Sequence, residues 1–161
     1  MKVQLRNYLA VIGAVILTLT LHFEADAQFG GGGRLTGTWD AEVEITNCQT
    51  GDMLASFKSI GAFHQGGTFN GITAGTPPAA RTPEIGIWRH NLDNTYTLRF
   101  KAFLFNPMGS AVGYQIITHT VELGRDNQSY TSVGSAKIFA LDGTQTGSVC
   151  SSAVATRMSF D

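Results

Sequence analysis

The sequence predicts an all-β protein: an eight-stranded antiparallel up-and-down β-barrel, closed by strand 1 pairing with strand 8. Three observations point there. Apolar and polar residues alternate after Arg34, turn-forming clusters recur at short intervals, and Cys48 and Cys150, the two cysteines, stand near opposite ends of the strand-rich region. Strict alternation is the pattern of a half-buried strand, and an even-stranded meander closes without leaving an exposed edge.

Ahead of the barrel, Lys2 and Arg6 precede an uncharged, largely apolar run from Leu9 to Leu21, followed by Glu24-Ala25-Asp26-Ala27. Small residues occupy the two positions that a signal peptidase favours. A helix of that run rises about 20 Å, short of the roughly 30 Å hydrocarbon core. The expected organisation is a signal peptide over 1–27, a flexible Gly-rich leader over 28–33 and a single β-barrel domain over 34–161. No stable membrane span is expected after cleavage, and the location implied is periplasmic or secreted. The leader's glycines are followed by no helix that would make them a phosphate loop.

Charge excludes some partners. Eleven basic and twelve acidic residues leave a formal net charge of −1, and removing Lys2, Arg6, Glu24 and Asp26 leaves that balance unchanged. No basic block stands out, so no nucleic-acid partner is expected.

The strands follow in order. Trp39, Ala41, Val43 and Ile45 share one face of the first, near 35–48, while Asp40, Glu42, Glu44 and Thr46 share the other. Turns at Gln49-Thr50-Gly51-Asp52, Gln65-Gly66-Gly67 and Asn91 to Asn94 place strands near 53–63, 67–72 and 84–90. The long irregular connection is Thr73 to Pro83, with three of the four prolines. Asn106-Pro107-Met108-Gly109, Gly124 to Asn127 and Asp142-Gly143 then separate strands near 95–105, 111–123, 129–141 and 146–158. No segment carries an apolar period of helical length.

Closure is testable by register. If Cys48 faces Cys150 or a near neighbour, Trp39 and Arg157 become approximately diagonal neighbours across the same strand pair. Both of those carry odd numbers and both cysteines even ones, so the disulfide lies outside and Trp39 with Arg157 inside. Such a disulfide closes a loop of about 100 residues, worth roughly 4–5 kcal/mol, and belongs to an oxidising compartment.

Gly37-Thr38-Trp39 and Arg157 resemble the Gly-x-Trp and last-strand arginine of the lipocalin, or broader calycin, group; Asn47-Cys48 adds a resemblance to short exported bacterial proteins of uncharacterised function. The resemblance implies structural roles. Gly37 permits close packing, Trp39 plugs the barrel floor, and Arg157 covers its ring while bonding terminal carbonyls. A late Thr-Asp-Tyr-type motif is absent from the sequence.

An eight-stranded barrel either fills itself or holds one small ligand. The aromatic and apolar residues of the central strands nominate Tyr96, Leu98, Phe100, Tyr114, Ile116 and Tyr130 as ligand-binding, with tyrosine hydroxyls or Arg99 holding a polar end. Gly134 and Ala136 either leave room for that ligand or accommodate large neighbours. The expected function is binding of a small hydrophobic or amphipathic molecule, without a cofactor or metal. One alternative is a cofactor-independent cyclase or isomerase, by architectural analogy with barrels of the allene oxide cyclase type, in which Tyr96, Tyr114 or Tyr130 orients a carbonyl. Another is a structural or protein-interaction barrel, which predicts Trp88, Phe103 and Phe105 on one exposed face. His64, His90 and His119, with Glu122, sit late on alternate strands and are the candidates for a rim metal site or acid–base pair, though no short ligand spacing ties them together.

Overall fold

The protein is described by a computed structural model over residues 32–91 and 93–160. The expected signal peptide, and the leader as far as Gly31, lie outside the described residues. Eight strands form one closed antiparallel barrel of calycin-like topology in sequential order. They are β1 (Gly37–Thr46), β2 (Met53–Phe63), β3 (Thr68–Thr73), β4 (Glu84–His90), β5 (Thr95–Phe105), β6 (Ala111–Leu123), β7 (Ser129–Ala140) and β8 (Gln145–Arg157). Among the described residues the helical content is the 3-10 turn Gly32–Arg34, and no helix is long and apolar enough to cross a membrane.

β1 pairs with β8 from Trp39 opposite Arg157 to Thr46 opposite Cys150. The expected register is therefore displaced by two residues: Trp39 and Arg157 face one another directly, and the cysteines are the diagonal pair. The cause is local. Asn47 ends the strand by accepting hydrogen bonds on its side-chain oxygen from the Gln49 N–H (2.8 Å) and on its carbonyl from the Gly51 N–H (2.8 Å). Cys48 sits in that turn and reaches back to Cys150, with Cα atoms 5.0 Å apart. A displacement of two preserves faces, so the disulfide is outside the barrel and Trp39 inside.

The two ends of the barrel differ. At the floor, Trp39, Phe63, Tyr96, Leu35, Leu123 and Val121 are the largest fully buried side chains. Trp39 packs 4.9 Å from Tyr130 and donates its indole N–H to the Leu35 carbonyl at 3.0 Å. The Trp88 indole N–H is shared between the carbonyls of His64 and Thr68. A buried tryptophan with its N–H satisfied contributes its full apolar area, roughly 4–6 kcal/mol. The hairpins at this end keep one register throughout. At the opposite, open end, all three hairpins shift by one residue, leaving Leu54, Val112 and Thr146 without partners. Such bulges are frequent at barrel rims, and each turns the following residues to the other face.

The connection between β3 and β4 folds back onto β5. The Phe105 N–H donates to the Ala80 carbonyl (2.9 Å), the Thr82 N–H to the Phe103 carbonyl (3.1 Å), and Arg81 bridges Leu104. This short extra pairing aims the Arg81 side chain into the barrel.

Candidate functional site

Above the aromatic floor the barrel encloses a cavity of about 360 Å³. Its walls follow the alternation of the strands. Val43 and Ile45 come from β1, Phe57 from β2, Phe69 from β3, Leu98 and Phe100 from β5, and Ile117 from β6. Small residues keep it open: Ala136 on β7 and Ala153 on β8 line it opposite the larger side chains. Gly61 and Gly71 flank the Phe69 ring so closely that a β-carbon on either would lie within 3.0 Å of it.

Polar side chains interrupt this lining, two buried clusters among them. On one wall His119 lies between two serines, with Nδ1 2.9 Å from the Ser132 hydroxyl and Nε2 2.7 Å from that of Ser151. Gly134 stands directly opposite His119 in the ladder, where a β-carbon would collide with the imidazole, so this glycine makes room for the histidine. Burial lowers the His119 pKa to about 4; the ring is neutral at physiological pH. A neutral imidazole donates through one nitrogen and accepts through the other. One serine therefore spends its O–H on the ring, and the other keeps its own O–H for a further acceptor.

The second group is Arg81 and Glu84, joined at 2.7 Å with both side chains 7% exposed. Burial raises the Glu84 pKa above the ordinary carboxylate value, against the pull of Arg81. Burial also raises the Tyr130 pKa, helped by the charge of Glu84, so the Tyr130 hydroxyl stays protonated.

The nominated residues separate into three sets. Leu98, Phe100 and Tyr130 line the cavity. Tyr96 is fully buried among the floor residues. Tyr114 and Ile116 are on the outer surface, a correction to the inward face expected of them: on β6 the inward residues are Gln115, Ile117 and His119. Tyr114 stacks on Phe139 at 5.1 Å, with the Lys101 ammonium 3.8 Å from its ring centroid. The physical cause is the unpartnered Val112, which reverses the facing of everything after it on β6. Arg99 is also exposed, opposite the outward-facing Ile87.

The histidines do not assemble. His64 bonds Asn70 at 3.0 Å, His90 bonds the Asp93 carbonyl at 2.8 Å, and His119 is inside the barrel. Among the described residues no group of His, Cys, Asp and Glu is placed to hold a metal ion. The structural set stands together at the floor. The Arg157 guanidinium lies 4.2 Å over the Trp39 ring and donates to the carbonyls of Asn127, Thr36 and Arg34. Gly37, with φ of 139°, lies so close that a β-carbon there would overlap the guanidinium.

Sequence reasoning missed the Arg81–Glu84 pair and the two serines. The spacing Arg81-x-x-Glu84 suggests a helical pair, yet the two meet across an irregular, proline-flanked turn. Ser132 and Ser151 share no local motif with His119; only the β6–β7–β8 register brings them to it. The chain matches no protein-family model and no curated protein.

Proposed function

We propose that this barrel is an exported binding protein for a small hydrophobic or amphipathic molecule, periplasmic or secreted. The observation that carries the reading is the cavity itself, about 360 Å³ and walled largely by aliphatic and aromatic side chains. Its size falls within the range of small-molecule sites, and a few convergent polar groups in an apolar lining are their usual composition. Leu98, Phe100 and Tyr130 supply contact area. The resemblance of Gly37-Thr38-Trp39 and Arg157 to the lipocalin pattern supports the barrel on which this reading rests. Export is supported by the leader sequence and by the Cys48–Cys150 disulfide, a bond that persists in oxidising compartments.

Of the tyrosines invoked for a cyclase or isomerase, Tyr130 alone lines the cavity, while Tyr114 is outside it. Trp88 is buried at 8% exposure while Phe103 is 44% exposed, so the aromatics named for an interaction barrel do not share one exposed face.

Native mass spectrometry of gently purified protein tests the proposal. A retained small molecule, lost in an Ala153→Phe variant that fills the cavity, is the expected result. Unliganded protein in every preparation, together with no uptake of added amphiphiles, rejects it.

A further inference from the structure

The charges facing the cavity cancel within it. Among the described residues that line it, Arg81 and Glu84 are the charged ones, and they are committed to each other at 2.7 Å. Arg81 is held in place by its backbone pairing with Leu104. The cations of the surrounding strands, Lys58, Arg89, Arg99, Lys101 and Lys137, are exposed on the outside. His119 is neutral and has both ring nitrogens occupied by serines.

A carboxylate entering this space leaves water and finds no unpaired cation, and it approaches Glu84. An ammonium meets the mirror problem with Arg81. Burying an unpaired ion is far costlier than burying a hydroxyl or carbonyl that finds a partner. Partners of the second kind are present: the serine O–H left over beside His119, the remaining serine lone pairs, and the Gln115 amide.

We propose that the cavity selects uncharged amphiphiles, seating a hydroxyl or carbonyl on the Ser132–His119–Ser151 wall and rejecting carboxylates and ammoniums of the same length. This rests on the binding reading above and narrows it to a chemical class. The volume suits a short chain. A cavity of about 360 Å³ holds on the order of a dozen non-hydrogen atoms at about 30 Å³ each, the size of a ten-carbon chain with a small head.

The test is calorimetric titration of the disulfide-intact protein at neutral pH with 1-decanol, decanoate and decylammonium. Decanol should bind at least about tenfold more tightly than either ion. Glu84→Gln leaves Arg81 uncompensated and should raise decanoate affinity by about tenfold or more, to that of decanol or beyond. Arg81→Gln should do the same for the ammonium. If either single variant does not fold, the wild-type ranking decides, together with the double variant Arg81→Gln/Glu84→Gln, which removes both charges and should keep decanol first. Decanoate binding the wild type as tightly as decanol overturns the selectivity while leaving the binding function standing. A decanoate affinity unmoved in folded Glu84→Gln protein overturns the assigned cause. Binding of none of the three overturns the binding reading and this inference together.

Discussion

Arg157 lies directly across the β1–β8 ladder from Trp39, with its guanidinium 4.2 Å from the centre of the tryptophan ring. The same group donates to carbonyls before β1 and in the β6–β7 turn. One side chain thus ties the first strand, the last strand and the floor loops.

Lysine cannot reproduce that arrangement, because its ammonium neither stacks as a plane nor offers a rigid fork of donors. Arg157→Lys is expected to cost about 2 kcal/mol, given that hydrogen bonds from charged groups are worth roughly 1.5–3 kcal/mol and this one is partly exposed. Urea unfolding measures it, and a loss under about 0.5 kcal/mol would place the variant among ordinary surface changes.

The double variant Cys48→Ser/Cys150→Ser should lose roughly 4 kcal/mol of stability, the disulfide spanning a sequence separation of 102 residues. Its far-UV circular dichroism should stay that of the native barrel, since the β1–β8 ladder closes the sheet independently of the bond. Peptide mapping of unreduced native protein should recover one cross-linked pair; free thiols at both positions would contradict the structure.

Acid should destabilise the fold through His119. Its folded-state pKa is lowered to about 4 from an ordinary 6.5, so between those values the unfolded chain binds a proton that the folded chain refuses. The contribution is fully present above about pH 6.5 and is lost as pH falls toward 4, at most about 3 kcal/mol. Glu84 works in the opposite direction: its raised pKa means that the folded state takes up its proton first, adding stability as pH falls. His119→Gln removes the histidine slope and leaves the glutamate slope. Urea midpoints for both proteins at about pH 7 and about pH 4.5 separate the two, and parallel pH slopes would rule out a buried neutral histidine.

Gly134→Ala should be severe for a one-carbon change. A β-carbon there would meet the Thr118 carbonyl at 2.1 Å and the Cα of His119 at 2.8 Å, both backbone atoms. Overpacking of that kind costs about 1–3 kcal/mol. Thermal unfolding should show a clear drop, whereas Ala136→Gly, in the cavity wall, should cost about 1 kcal/mol or less. Equal effects would mean that the sheet yields freely at Gly134.

Much of the architecture was legible because it depends on parity and spacing. The outward disulfide and inward Trp39 survive a two-residue error in register, since both strands alternate with period two. The lining of β6 did not survive, because the shift at Val112 is odd. Continuing the hairpin from Phe105 opposite Ala111 would place Tyr114 and Ile116 inside; pairing Leu104 with Gly113 places Gln115, Ile117 and His119 there. Nothing in Ala111-Val112-Gly113 announces which residue will be skipped. The polar features of the cavity were illegible for a related reason: Ser132, His119 and Ser151 come from three strands and meet only once three registers are known.

The position of the disulfide also sets how the molecule bears load. Tension applied through the segments flanking β1 and β8 enters at the floor, where Trp39 faces Arg157, and opens the seam like a zipper toward Thr46 and Cys150. The covalent stop lies at the far end of that seam, so the chain enclosed between the cysteines bears no load, whereas the cavity wall supplied by Val43, Ile45 and Ala153 parts with the seam. Tearing the seam therefore lengthens the molecule by little more than the two outer strands and lays the cavity open, while β2 to β7 stay within the disulfide loop.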